Sequence, residues 1–360
     1  MTSKTIRLKP SINENLFVSL AIIVMSINFL FYAFFDKLQL VNPLRYFIII
    51  LLLIVYFVKR KFRIEYSLWI FWAIYLILIN GTESINVAFL IIFAIAMNLV
   101  DERKIYKWIT IANIFIVIIV AFSLILGIEE NFNWTHMGRT RNTLGFEHPN
   151  YIGMIMFSIV SVWFLYLKKI KWRHIIFATI VCYILFRVSD SRTGFIGLLI
   201  FAFFCLILKA KNIKISKIIV GGIIIFYFLS PIIWSLPFIN NEYFNDVLSS
   251  RPEIFYEYIV SNSFTNLLFG GTTLRVIDNF YLMLLYNCGI VTYAIVFVMT
   301  FICAMVLIGR RENIKTAFIV AILSLGLTES SLFRPEILCM PVYWMMIFST
   351  IDLKLFKRNS

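Results

Sequence analysis

The chain places RNTLGFEHP (residues 141–149) directly before NYIGMIMFSIVSVWFLYL (residues 150–167), so a polar, charged stretch runs into an apolar segment of membrane length. A helix needs about 17–25 mostly apolar residues to cross the hydrocarbon of a bilayer. Over the 360 residues, 61% are hydrophobic and only 14% are charged, whereas soluble domains are roughly 45–50% apolar and about 25% charged. The composition therefore predicts an integral membrane protein built from helices.

Apolar segments of this kind predict an all-α polytopic fold with about 12 transmembrane helices in a single integral membrane domain, residues 1–360. The segments lie at 16–35, 44–58, 66–80, 85–100, 106–127, 150–167, 172–188, 193–208, 215–234, 279–308, 314–328 and 338–351. Charged side chains are absent from their middles, and nothing in the sequence indicates a broken helix. Ion-coupled transporters usually have one or the other, so transport is disfavoured.

The connections between these segments alternate in charge, which predicts the topology. If basic loops face the cytoplasm, 24 of the 33 Lys and Arg residues and both termini lie inside, and 9 basic residues lie outside. The loops at 128–149 and 235–278 are then external. This distribution also accounts for the net charge of +14, so we expect no nucleic acid among the partners.

Arginine is retained on the external side where lysine is not. Eight of the 16 Arg but only one of the 17 Lys fall there, and seven of these Arg lie in four segments: 128–149, 187–192, 235–278 and 328–337. The planar guanidinium binds phosphate through two parallel hydrogen bonds, which an ammonium cannot do. The pattern predicts an anion site. For any single Arg the alternative is pairing with an external carboxylate or a lipid headgroup.

The long external loop 235–278 contains SRPEIFYEYIVSN (residues 250–262), which predicts a short amphipathic helix along the membrane surface with Arg251 at its start. Ser250 and Glu253 have the spacing of a capping box. The apolar residues fall on one helical face, namely Ile254, Phe255, Tyr258 and Ile259. The alternative is an interfacial helix that only covers the bundle.

Metal and cofactor sites are not indicated by the sequence. The five Cys include no CxxC pair, the three His have no ligand spacing, and the external loops contain no paired acids of the DxD kind. A Gly-rich phosphate loop is absent as well. We therefore predict neither a metal nor a cofactor.

Four motifs, in this order, resemble those of the O-antigen ligase and polymerase superfamily. They are GFEHPN (145–150), SRTG (191–194), SRPEIFYEYI (250–259) and LFGGTTLRVIDNFYLMLLYNCGI (268–290). The resemblance covers roughly residues 135–310, with LTESSLFRPE (327–336) as weaker support, and is strongest to the Wzy-type polymerases of capsule or exopolysaccharide assembly. Where the ligases tend to have His before the Asn of the tenth segment, this chain has Asp278 before Asn279, which is more similar to the polymerases.

The resemblance implies an enzyme of the bacterial cytoplasmic membrane that transfers a growing glycan from undecaprenyl pyrophosphate to the next lipid-linked repeat unit. Its expected partners are those carrier-linked oligosaccharides, membrane lipids, a flippase and a chain-length regulator. Such a reaction needs cations for the leaving pyrophosphate and a base for the acceptor hydroxyl. The candidates for the cations are Arg139, Arg141, Arg192, Arg251 and Arg275, and for the base Asp278, His148 and Glu253.

Other functions and roles stay open from the sequence alone. An O-antigen-type ligase or another lipid-carrier-dependent glycosyltransferase would use the same donor, and a lipid-linked glycan flippase or exporter would move the same lipid without chemistry. Asp278 could serve only to cap the following helix. His148 could serve only to shape the entry of the sixth segment.

The charge distribution makes a direct prediction about topology. In whole cells, Thr135→Cys and Asn245→Cys should react with a membrane-impermeant maleimide, because residues 128–149 and 235–278 are predicted to be external. Ile170→Cys and Asn212→Cys should react only after the membrane is opened. The reverse labelling pattern would refute the topology and the external site with it.

Overall fold

The computed structural model describes residues 12–35, 38–58, 64–80, 85–98, 100–136, 139–167, 169–236, 239–248, 250–271, 277–335 and 337–351. Long helices dominate these residues. They are α1 (Ile12–Ala33), α2 (Leu38–Val58), α3 (Ile64–Asn80), α4 (Ile85–Met97), α5 (Glu102–Ile125), α6 (Asn150–Leu167), α7 (Trp172–Ser189), α8 (Arg192–Ala210), α9 (Ile213–Trp234), α13 (Phe280–Gly309), α14 (Asn313–Leu325) and α15 (Cys339–Ile351).

The loops add smaller elements. A two-stranded antiparallel hairpin, β1 (Asn133–His136) and β2 (Arg139–Asn142), lies between α5 and α6, with Trp134 opposite Arg141. Between α9 and α13 lie the short helices α10 (Glu242–Val247), α11 (Arg251–Ser261) and α12 (Phe264–Phe269). The hairpin was not predicted, because strands of four residues are too short for alternation to identify them.

A helix occupies each of the twelve apolar segments identified in the sequence. Among the described residues, six helices are long and apolar enough to cross a membrane, namely α5 to α9 and α13. The apolar parts described for α1 to α4, α14 and α15 are shorter, so the number of spans stays a prediction. The all-α class is confirmed, and the long apolar helices fit a multi-pass membrane protein.

The surface of the bundle is also apolar. Large hydrophobic side chains are exposed on α3, α5, α7 and α9, for example Leu78, Ile125, Phe177 and Ile218. In water, contiguous apolar surface of this kind would drive aggregation, whereas lipid tails solvate it. The exposed residues therefore fit faces that would contact hydrocarbon in a membrane.

Helix α6 lies inside the bundle, and the motif GFEHPN leads into it. It packs against α5, α7, α8, α14 and α15, and 67% of its membrane-length window is buried, against 22% for α7. We refer to the end of the bundle where α6 begins, at Asn150, as the site end, and to the end where α6 finishes, at Leu167, as the opposite end. Residues just before α6 are thereby placed at the centre of the site end.

Two glycines allow α6 and α8 to approach closely at the site end. A Cβ atom on Gly194 would lie 2.3 Å from the backbone carbonyl atoms of Gly153, and a Cβ on Gly153 would lie 2.1 Å from Ser191 Oγ. Small residues at such a crossing let helix backbones pack closely where no hydrophobic force holds them together. The crossing sets the position of Ser191, Arg192 and Thr193 relative to the start of α6.

The expectation of unbroken helices is wrong for α13. Gly289 has φ 80° and ψ 163°, which interrupts the helix nine residues after its start at Phe280. The loop after α12 fills the interruption, because the Gly271 backbone N–H donates to the Asn287 carbonyl oxygen at 3.1 Å. A Cβ on Gly289 would lie 2.7 Å from the Leu268 carbonyl oxygen. Only glycine combines this positive φ with so close a backbone contact.

The α6–α8 crossing gives a stability prediction. Gly194→Ala should lower the Tm of the purified protein in detergent, because the added methyl group forces the two helices apart, a change that costs about 1–3 kcal/mol. Gly222→Ala in α9 is the matched control, because a Cβ there meets nothing within 4 Å. Equal Tm values for the two variants would show that the crossing tolerates the methyl group.

Candidate functional site

Glu329 is the centre of the site end. It lies in the link between α14 and α15, is 9% exposed, and accepts a hydrogen bond of 2.7 Å from Asn150 Nδ2 at the start of α6. Thr193, at the start of α8, also hydrogen-bonds to its carboxylate. Segments that are distant in the sequence therefore meet at one buried carboxyl group.

The charges around Glu329 come from its own link, which contains Arg334, and from two further segments. The pKa of Glu329 is raised from 4.5 to about 7. Burial is the largest cause and the negative charge of Asp278 adds to it, while the positive charges of Arg334 and Arg251 and the hydrogen bond from Thr193 lower the pKa. Arg251 begins α11 and Asp278 lies just before α13. The four motifs that carry the sequence resemblance thus each contribute a side chain to the surroundings of one group.

Arg334 is held beside Glu329 by aromatic side chains. Its Nη1 donates to Tyr151 Oη at 2.8 Å, and its guanidinium carbon lies 5.7 Å from the ring centroids of both Tyr32 and Tyr151. Contacts of this kind orient a guanidinium while leaving its charge intact. Arg334 therefore supplies a fixed positive charge to Glu329 and Asp278.

A second group of charges lies at the same end. Asp190 is placed between two guanidiniums, with Arg141 Nε 3.9 Å from its Oδ2 and Arg192 Nε 3.4 Å from its Oδ1. The Arg141 guanidinium also lies over the Trp134 ring, at 5.7 Å from the centroid. One carboxylate between two cations leaves an excess of one positive charge, and the Arg192 side chain is 50% exposed.

His148 lies between these two groups. Its ring contacts Trp134, with centroids 4.7 Å apart, and Tyr151, with centroids 6.3 Å apart. The Asn150 backbone N–H donates to His148 Nδ1 at 3.2 Å. A neutral ring that accepts at Nδ1 has its proton on Nε2, so this bond orients the ring at the start of α6.

The proposed capping role of Asp278 is wrong. Asn279 is the N-cap of α13, since its Oδ1 accepts from the Leu282 backbone N–H at 2.9 Å. Its Nδ2 also donates to the Leu327 carbonyl oxygen at 3.1 Å, next to Glu329 in the chain. Asp278 itself is exposed, directly before the cap.

The capping box predicted for α11 is also wrong. Ser250 has φ 58°, a left-handed conformation in which its side chain makes no cap hydrogen bond. Asn245 replaces it, because its Oδ1 accepts from the Glu253 backbone N–H at 3.0 Å. The Glu253 side chain is exposed, while Phe255 and Tyr258 are buried on the predicted apolar face. Phe255 stacks edge-on against Trp234 of α9.

Two predicted cations cannot be placed. Arg139 begins β2, but its side chain is outside the described part of the structure, and all of Arg275 is outside it. Of the eight predicted site residues, the structure brings Arg141, Arg192, Arg251, His148 and Asp278 together at the site end. It places Glu253 at the surface of α11.

Glu329, Tyr151 and Tyr32 were not predicted as site residues, and Arg334 was counted only as one of the external arginines. A signal for Glu329 does exist, because it is a carboxyl group between LSLGLT and SSLF, two stretches without any charged residue. A lone acid in such surroundings becomes buried if the stretch folds inward, and buried acids are held by hydrogen bonds.

Among the described residues, no group of three or more His, Cys, Asp or Glu side chains could hold a metal ion. Comparisons with protein-family models, with curated proteins and with solved structures give no match.

Glu329 should titrate near neutral pH. The infrared band of protonated carboxyl groups in the purified protein should include a component that disappears as the pH rises through about 7. The component should be absent from Glu329→Gln and retained in Glu253→Gln, whose carboxyl group is exposed. Asp278→Asn should move the loss to lower pH, because removing a nearby negative charge favours the ionised form.

The same pKa difference fixes the sign of a stability effect. The folded chain holds the Glu329 proton up to about pH 7, whereas the unfolded chain releases it near pH 4.3. Stability should therefore fall as the pH rises between these values and then level off. If the infrared component assigned to Glu329 were lost below pH 5 in the wild-type protein, that result would contradict the burial of Glu329.

Proposed function

We propose that the chain is a multi-pass protein of the bacterial cytoplasmic membrane, with twelve spans, both termini cytoplasmic and the site end external. The support is the distribution of 24 basic residues to one side and 9 to the other. In this topology the site end contains Arg but almost no Lys. Such a bias suits the recognition of phosphate.

We further propose that the protein is a polysaccharide polymerase, which transfers a growing glycan from undecaprenyl pyrophosphate to the next lipid-linked repeat unit. The observation that carries the proposal is the grouping of Arg141, Arg192, Arg251 and Arg334 around the site end, with one buried carboxyl group of pKa about 7 among them. Cations suit a pyrophosphate, and a carboxyl group that titrates near neutral pH suits general base catalysis.

In this reaction the acceptor hydroxyl oxygen attacks the anomeric carbon of the donor sugar. The bond from that carbon to the pyrophosphate oxygen breaks, and its electron pair leaves with the pyrophosphate. The proton of the hydroxyl group passes to the ionised carboxylate of Glu329 and from there to water. Glu329 is a better base than the exposed Asp278, because its hydrogen bonds to Asn150 and Thr193 fix its orientation.

The arginines would stabilise the charge that grows on the leaving pyrophosphate. Arg192 is the first candidate, because its half-exposed side chain shares Asp190 with Arg141 and can exchange that carboxylate for a phosphate. Arg251 is the second, because its charge acts on Glu329 and so lies close to the proposed base. His148 would assist as a donor from Nε2.

Two alternatives to the polymerase are a ligase, which differs from it in the acceptor, and a flippase, which moves the lipid without chemistry. An O-antigen-type ligase would use the same donor, and the Asp278–Asn279 pair favours the polymerase over it. A flippase or exporter is favoured by one observation, the interruption of α13 at Gly289, because broken helices line the substrate path in many transporters. The interruption is occupied by protein, since Tyr258 Oη donates to Asn287 Oδ1 at 3.2 Å beside it.

Replacement of arginine by lysine tests the proposal. Arg141→Lys, Arg192→Lys and Arg251→Lys should each slow polymerisation of carrier-linked repeat units by purified protein roughly 10- to 100-fold, the loss expected when charged hydrogen bonds disappear but the charge stays. Arg187→Lys in the last turn of α7 is the control, an exposed arginine at the same end. The readout is the ladder of product lengths on gels.

Cells that express any one of these three lysine variants should accumulate single repeat units, linked to undecaprenyl pyrophosphate, in the outer leaflet. Accumulation in the inner leaflet would support the flippase instead. Wild-type rates from all three lysine variants would refute pyrophosphate binding by these arginines.

A further inference from the structure

A cavity of about 1040 Å³ lies at the opposite end of the bundle from Glu329. The start of α5, the end of α6, the start of α7, the end of α8 and the start of α14 form its walls. The cavity and the site end are at the two ends of α6, an 18-residue helix that is about 27 Å long. The cavity is therefore a separate site.

The lining is strongly basic. Six Lys and Arg side chains contribute to it, against three Asp and Glu, which leaves an excess of three positive charges. The basic residues are Arg103, Lys169, Lys171, Lys209, Arg311 and Lys315.

The three acids of the lining are already engaged, two in ion pairs with Lys315 and one in a helix cap. Lys315 Nζ lies 2.7 Å from Glu102 Oε1 and 2.6 Å from Glu312 Oε2, so one ammonium pairs with both glutamates. Asp101 caps α5, accepting from the Arg103 backbone N–H at 2.8 Å. Because these bonds engage all three acids of the lining, its net positive charge lies on the five cations other than Lys315.

One of those cations is pre-oriented. The Arg103 guanidinium lies over the Tyr166 ring, 5.1 Å from its centroid, which restrains a long side chain without neutralising it. The other four cations are exposed, one in the last turn of α8 and three in the connections between helices, where they can turn toward a ligand. The arrangement suits a phosphate group, which accepts several charged hydrogen bonds at once.

The rest of the wall is apolar and continues onto the face of the protein that contacts lipid. Leu165, Ile175 and Leu206 line the cavity together with Trp172, which is 66% exposed at the start of α7. Farther along α7 the exposed residues Ile176 and Phe177 extend this surface. A ligand with a charged head and an apolar tail would contact both parts.

We propose that this cavity binds the phosphate headgroup of an anionic membrane lipid, with an acyl chain along the exposed face of α7. Basic pockets between transmembrane helices on the cytoplasmic side bind such headgroups in other membrane proteins. The predicted topology places the cavity on that side. The volume is sufficient for a phosphoglycerol headgroup and the first part of its chains.

The test uses the full-length protein, purified and delipidated in neutral detergent, with short-chain phosphatidylglycerol as the probe and native mass spectrometry as the readout. Arg103→Gln/Lys169→Gln/Lys209→Gln should bind it roughly 100-fold more weakly, the loss expected for three neighbouring cations. The control Lys107→Gln/Lys214→Gln/Lys217→Gln removes the same charge from residues outside the lining and should bind as the wild type does. Phosphatidylcholine with the same chains should bind at least tenfold more weakly to the wild type.

Three results would overturn the proposal: equal losses in the two triple variants, equal affinity for phosphatidylcholine, or displacement of the lipid by an equal concentration of glycerol 3-phosphate. The last result would assign the cavity to a soluble phosphate ester. If the site variant is not monodisperse on size exclusion, Lys209→Gln alone, an exposed change at a helix end, should weaken lipid binding about fivefold, and unchanged binding would refute the proposal.

Discussion

The hydrogen bond between Asn150 and Glu329 joins residues that are 179 positions apart, and the arrangement of the site end depends on it. A carboxyl group is expensive to bury in an apolar bundle unless it is neutral or is compensated by donors and cations. The start of α6, the start of α8 and the link after α14 meet at this group, and Arg251 and Arg334 supply opposite charge. Removing the carboxyl would take the acceptor from the Asn150 amide and the nearby negative charge from the two guanidiniums.

Close packing of the apolar helices allows these segments to meet at Glu329. Gly153 and Gly194 bring α6 and α8 to a separation that larger residues would prevent, and Thr193 thereby reaches Glu329. The first residues of α13 are fixed to the end of α14 by the Phe280 N–H, which donates to the Gly326 carbonyl oxygen at 2.8 Å, and by the Tyr281 hydroxyl, which donates to the Leu323 carbonyl oxygen at 2.8 Å. These bonds hold Asp278 next to Glu329.

Hydropathy predicted where the long helices lie, because burying apolar residues at membrane length leaves few alternatives. Charge and motif order also predicted that Arg141, Arg192, Arg251 and Asp278 belong to one end. The hydrogen-bond and charge partners of these residues, and the residues that cap the helices, could not be predicted. In the predicted topology Glu329 is one of thirteen Asp and Glu residues on the external side, and its burial follows from contacts made across most of the chain. Asn279 caps α13 in place of Asp278, and Asn245 caps α11 in place of Ser250, because cap choice depends on backbone angles that short sequence patterns do not fix.

The length of α14 has a consequence for how ligands arrive. Its 13 residues span about 20 Å, whereas the hydrocarbon of a bilayer is about 30 Å thick. Glu329 follows one end of this buried helix, and Lys315 in the basic cavity lies at the other. In the proposed topology α14 crosses the membrane, and the difference of about 10 Å would recess both places below the headgroup plane. A water-soluble molecule would have to descend into either recess, whereas a lipid diffusing in the plane of its leaflet already has its phosphate close to that depth.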